Sequence, residues 1–115
     1  MRIGQLAASA GVTTSRIRFY EARGLLPPPP RQDNGYRRYD PRDLKILTFI
    51  ERAARLGFSL REIRDFLNAP DDERSAAGFL PRLEAKLIEL DRHIEDAQDR
   101  RNEIVRLIVE LRTRF

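Results

Sequence analysis

Thr14, Ser15, Arg16, Arg18 and Tyr20 bring hydroxyl and guanidinium groups together within one short stretch. Donors of these types suit hydrogen bonding to phosphate oxygens and to base edges in a nucleic-acid groove. They do not suit bond-making chemistry. His93 is the only histidine, and there is no nucleophile–base pairing around it. No glycine loop of the phosphate-cradling type is present, so an enzyme is not expected. The chain contains no cysteine, which excludes disulfides, thiolate metal sites, iron–sulfur clusters and thiol switches. No metal and no cofactor are expected, and His93 reads as part of a solvated helix face.

The donors need a helix to carry them, and residues 3–23, IGQLAASAGVTTSRIRFYEAR, provide the pattern of two short helices with a turn at Gly11. Ala7 allows a close helix crossing, Gly11 suits a positive φ, and Ile17 locks the second helix onto the first. Thr13 is the expected cap, with Val12 stapled onto Ile17. The exposed face of the second helix is then expected to show Thr14, Ser15, Arg16, Arg18 and Tyr20 to a major groove. Gly24 closes the helix, and Pro27 to Pro30 form a stiff spacer.

Arg31 to Tyr39, RQDNGYRRY, reads as a small hairpin turning at Asn34-Gly35, the wing of a winged helix. Tyr36, Arg37 and Arg38 are its candidate phosphate donors, and Tyr39 is expected to pack inward. Asp40-Pro41 with Asp43 opens another helix, whose expected core positions are Leu44, Leu47, Phe49, Ile50, Ala53, Ala54 and Leu56. Gly57 ends it. Ser59 and Glu62 form a capping box for the next helix, and this helix pair resembles a second wing. Ser59 and Arg61 at its start are candidate phosphate contacts through free amides and the helix dipole.

Residues 70–80 read as a connector. Pro81 either begins the last helix or kinks one that starts near Asp72. From there Leu83, Leu87, Leu90, Ile94, Ala97, Arg101, Ile104, Ile108, Leu111 and Phe115 alternate by four and three, a heptad repeat with Arg101 as its polar member. A helix from Pro81 to Arg112 would run about 48 Å, too long for so small a domain to cover, which points to a homodimer. Phe79 and Leu80 are candidates to line an apolar effector pocket.

Charge follows the same division. Residues 1–58 hold eleven Lys or Arg against five Asp or Glu (+6), and residues 59–115 hold eleven against thirteen (−2), summing to +4. The half with the helix-turn-helix is thus the half suited to a polyanion. No run approaches a membrane span and no signal peptide opens the chain, so a soluble cytoplasmic, nucleoid-associated protein without a membrane partner is expected.

The succession IRFYE, GLLPP, GYRRY and GFSLREI, followed by a closing heptad helix, resembles the MerR family of bacterial transcription regulators over essentially the whole chain. The resemblance implies a mainly α fold: a winged helix-turn-helix DNA-binding domain (1–69), a connector (70–80) and a long antiparallel coiled-coil dimerisation helix (81–115). It implies a homodimer on a near-palindromic operator in double-stranded promoter DNA, with half-sites about 34 Å apart. It further implies distortion of the promoter spacer for RNA polymerase and its sigma factor. Metal- and redox-sensing relatives use cysteines around and after the dimerisation helix. Their absence here removes those readings, and the chain ends where a large ligand-binding domain would begin. The alternative is a ligand-independent architectural or repressing DNA-binding protein.

Overall fold

The computed structural model describes residues 1–29 and 37–114. Its elements in order are α1 (Ile3–Ala10), α2 (Thr14–Ala22), α3 (Pro41–Arg55), α4 (Leu60–Leu67) and α5 (Ala76–Arg114). The described residues form no strand beyond a single bridge at Arg37. The expected wing hairpin, including Arg31, Asn34, Gly35 and Tyr36, lies outside the described residues, as does Phe115. The chain divides into two compact units, residues 1–74 and 75–115.

In the first unit each helix begins and ends on local chemistry. Gly11 takes φ 70°, and the amides of Gly11 and Val12 bond back to the carbonyls of Ala8 and Ala7, closing α1. A side chain at Gly11 would meet no neighbour, so the positive φ alone is what calls for glycine. Thr13 caps α2, its hydroxyl accepting from the Arg16 amide at 3.1 Å. Asp40 caps α3, with Pro41 in the first turn and Asp43 Oδ2 accepting from the Asp40 amide at 2.9 Å. Ser59 and Glu62 complete a reciprocal capping box on α4 at 3.1 and 2.9 Å.

Helix α1 packs against α2 and α3, and α3 packs against α4. Leu6 and Ala7 of α1 meet Ile17 and Tyr20 of α2 and Leu47, Ile50 and Ala53 of α3 in one core, with Leu25, Leu26 and Tyr39 added from the connecting chain. Phe58, Ile63 and Phe66 extend the core to α4, where the Phe66 ring lies 5.4 Å from that of Phe49. Tyr39 returns the chain to its start, exchanging backbone hydrogen bonds with Met1 at 2.6 and 2.7 Å. One expected core residue is not there: Leu56 is exposed, because α3 ends at Arg55 and Leu56 is its cap rather than part of its apolar stripe.

The second unit is the single helix α5. It starts five residues before Pro81, so Pro81 lies inside the helix and the last five residues of the expected connector, 76–80, are helical. The reason is local. The Ser75 hydroxyl accepts from the Gly78 amide at 3.3 Å and the Ser75 carbonyl accepts from the Phe79 amide at 3.0 Å, so the helix nucleates on Ser75. Pro81 then forfeits one backbone donor near that end. Along α5, Lys86–Glu89, His93–Glu89 and Glu103–Arg106 lie at ion-pair distance and helical spacing; Lys86 is buried, while the others are exposed.

Candidate nucleic-acid interface

Helix α2 has two sides of opposite character. Ile17 and Tyr20, three residues apart, point into the core. At about 100° per residue the opposite side is set by Ser15, Arg18 and Phe19, all exposed. Arg16 lies on the flank toward α3, and Thr14 is half-buried near the cap. Tyr20 is therefore a correction to the expected exposed face: only 4% of it reaches solvent. Its hydroxyl donates to Glu51 Oε1 of α3 at 2.8 Å. Burial first, and then the hydrogen bond to Glu51, push its pKa up to about 12.

Glu51 serves a second donor. Its Oε2 lies 3.4 Å from a terminal nitrogen of Arg16, so α2 is tied to α3 through one carboxylate. Arg18 has no ion-pair partner among the described residues and stands open to solvent. Arg23 lies over the ring of Phe19, 4.9 Å from its centroid, extending the exposed cationic surface along the helix.

A second carboxylate gathers Arg37 and Tyr39, the residues just before α3. Glu21, at the end of α2, accepts from the Arg37 guanidinium and from the Tyr39 hydroxyl. Its side chain is 7% exposed, so this carboxylate is largely desolvated, whereas the Arg37 side chain is 35% exposed. Burial and the bond to Glu21 raise the Tyr39 pKa to about 12. The bond to Tyr39 and the charge of Glu21 also raise the pKa of Arg37. Arg37, expected as a phosphate donor, is half-buried and has one guanidinium nitrogen on Glu21. Arg38 is the exposed cation of the pair, and Tyr36 lies outside the described residues.

Ser59 and Arg61 are both exposed at the start of α4. The capping box uses the Ser59 and Glu62 amides and places the Glu62 carboxylate beside them. The expected cradle of free amides is reduced to Leu60 and Arg61, beside the exposed Arg61 side chain.

Along α5, Leu83, Leu87, Leu90, Ile94, Ile104, Ile108 and Leu111 are exposed, with Ala97 and Arg101 between them. Leu80, three residues before Leu83 on the same helix, joins their line instead of belonging to a connector; Phe79 is half-buried. Among the described residues no group of three His, Cys, Asp or Glu is placed to hold a metal ion, and no helix is long and apolar enough to cross a membrane.

Glu21 and Glu51 were missed by sequence reasoning. Each is a single acid whose partners lie 16 to 35 residues away, and no local spacing marks them. Phe19 was also passed over, although its offset from the Ile17/Tyr20 face signals exposure.

A helix-turn-helix with one helix anchored inward by Ile17 and Tyr20 and offering hydroxyl and guanidinium donors outward defines a DNA-binding regulator. Residues 1–70 match the family described as MerR HTH family regulatory protein, and residues 44–107 match the one described as MerR, DNA binding. The chain belongs to the MerR family of transcription regulators. It is 40% identical over 108 residues to the HTH-type transcriptional regulator CueR of Escherichia coli O157:H7, covering 93% of this chain and 80% of that protein. It is 38% identical over 114 residues to the mercuric resistance operon regulatory protein of Bacillus cereus, covering 98% and 83%. Among solved structures it is similar to the regulator PbrR691 of Ralstonia metallidurans CH34 in complex with lead(II), with TM-score 0.64, 36% identity and coverage of 96% and 82%. It is also similar to HiNmlR, a MerR family regulator lacking the sensor domain and bound to promoter DNA, with TM-score 0.66, 26% identity and coverage of 85% and 75%. A soft ion such as lead(II) takes thiolate donors, and this chain has no cysteine to offer one.

Proposed function

We propose that two copies of this chain, joined along α5, bind a near-palindromic operator in double-stranded promoter DNA and distort the promoter spacer. The observation that carries this reading is the orientation of α2. Its core-facing side is sealed by Ile17 and Tyr20, while Ser15, Arg16 and Arg18 face solvent on a unit already rich in positive charge. Recognition helices of helix-turn-helix dimers enter successive major grooves about 34 Å apart. Arg38 and Arg61 supply phosphate contacts that fix the register of each copy on the duplex. Dimerisation is supported by the exposed line of Leu83, Leu87, Leu90, Ile94, Ile104, Ile108 and Leu111, which a second copy would cover. The work is mechanical. Bending and untwisting a site costs on the order of 1–6 kcal/mol, offset by the added backbone contacts. RNA polymerase with its sigma factor is the partner that would read the altered spacer, and the nucleoid is where the protein would act. No catalytic step is involved.

A second reading, a ligand-independent architectural or repressing protein, is favoured by one observation: the chain has no cysteine and its described residues hold no metal-binding cluster. Transcription in vitro separates the two. The template carries the inverted repeat that the protein selects from randomised duplexes, placed between promoter elements at normal and lengthened spacing. A distorting activator raises transcription on the long spacer. A blocker lowers it at both spacings, and failure to select any inverted repeat dismisses the operator.

A further inference from the structure

The two arginines of α2 stand in different electrostatic settings. Arg18 has no ion-pair partner among the described residues, whereas Arg16 lies 3.4 Å from the Glu51 carboxylate. An exposed Arg–Glu pair ordinarily contributes little, because both side chains wander. Here one end is held. The Glu51 side chain is 20% exposed, and its other oxygen accepts from the Tyr20 hydroxyl at 2.8 Å. Tyr20 itself is fixed in the core and its burial favours the neutral hydroxyl form, which donates to the carboxylate. Core packing therefore sets the hydroxyl, the hydroxyl sets the carboxylate, and the carboxylate sets the guanidinium.

We propose that Glu51 is a positioning residue that determines specificity, holding Arg16 for a base edge and withholding it from the phosphate backbone. The inference rests on α2 being the groove-reading helix. A paired arginine carries no net charge into a polyanion field, so it releases little counterion and adds little to sequence-independent affinity. The Glu51 carboxylate beside it also repels phosphate. What survives is directional: the remaining guanidinium donors of Arg16 can address an acceptor such as guanine O6 or N7. Arg18 retains its full charge for the backbone or a base. Glu51 thus separates a reading arginine from a gripping one on the same helix.

Glu51→Gln tests this, since the amide keeps an oxygen for Tyr20 while removing both the charge and the acceptor that face Arg16. Two duplexes are compared by fluorescence anisotropy across salt concentrations, one recovered by the wild-type protein from a randomised pool and one of mixed sequence. Glu51→Gln should tighten mixed-sequence binding and steepen its log–log salt slope by about 0.9 per subunit. Preference for the selected duplex should fall on the order of tenfold. In an Arg16→Ala background the same substitution should alter neither quantity. An unchanged slope and preference overturn the proposal, as does an equal shift in the Arg16→Ala background, which would make it a general charge effect. Tyr20→Phe keeps both charges and frees the carboxylate, and should lower preference about threefold with the slope intact. If Glu51→Gln does not fold, that variant decides, and an unaltered preference rejects the proposal. A wild-type protein with no sequence preference rejects the groove-reading assignment itself. A clear wild-type preference that neither variant moves rejects only the role of Glu51.

Discussion

The Tyr39 hydroxyl donates to the Glu21 carboxylate, joining the chain just before α3 to the last turn of α2. Arg37 donates to the same carboxylate, so two residues of the segment before α3 are held by the end of α2.

Tyr39→Phe should remove one of the donors to a nearly buried acid. A buried carboxylate deprived of a partner costs about 1–3 kcal/mol, so urea denaturation should show a lower midpoint with the slope unchanged. Glu21→Gln in the same protein should lower the midpoint further, because it also takes the ion pair away from Arg37. A midpoint unaffected by Tyr39→Phe would mean that the bond adds nothing beyond packing.

The two buried tyrosines predict a defined alkaline behaviour. Tyr20 and Tyr39 are raised to about 12 from the usual 10, chiefly by burial and then by a bonded carboxylate. The folded state keeps these protons after the unfolded chain has released them. Their contribution to stability is therefore fully present below about pH 10 and declines as pH rises through about 12. The loss amounts to roughly 2–3 kcal/mol for each at the upper end. Phenolate absorbance should show two of the three tyrosines titrating late, with the denaturation midpoint dropping over the same range. Ordinary titration of all three would contradict the buried placement.

The elements readable from sequence were those whose signals are local. Gly11, Thr13, Asp40 with Pro41, and the Ser59/Glu62 box each act within a few residues of the boundary they set, and the structure places each boundary there. Tyr20 was misread by its chemistry. A hydroxyl suggests a DNA donor, but the three-residue spacing from Ile17 already puts it on the core side. Leu56 was misread by extending the α3 stripe past its cap. Pro81 drew attention from Ser75, the residue that starts α5. Glu21 and Glu51 were unreadable for a different reason: their partners come from other segments, and only the packing of α2 against its neighbours brings them into reach.

Arg16 and Arg38 should separate reading from gripping. Arg16→Ala should weaken binding to the selected duplex by roughly 1–3 kcal/mol and relax preference at its base pair. Arg38→Ala should weaken selected and mixed-sequence duplexes alike and make the salt slope shallower by about 0.9 per subunit. Competition binding on a panel of singly altered duplexes distinguishes them. If Arg38→Ala changed preference at one base pair, its assignment to the backbone would fail.

Leu90 tests the seam of α5. It is exposed on the single chain and lies in the run that repeats by four and three, with Leu87 and Ile94 on either side. In a two-stranded coil each such side chain inserts between residues of the partner and leaves water. Leu90→Asp would place two carboxylates in that seam, one from each copy, and burying an unpaired charge costs more than the apolar contact ever contributed. The helix–turn–helix unit has its own core of Leu6, Ile17, Leu47 and Ile50 and does not depend on Leu90 for it. Sedimentation of the variant should therefore report a folded monomer, with weaker and less salt-dependent DNA binding because only one unit engages the site at a time. A dimer of unchanged mass would place the contact between copies elsewhere on the chain, and the run from Leu83 to Leu111 would then need a different occupant.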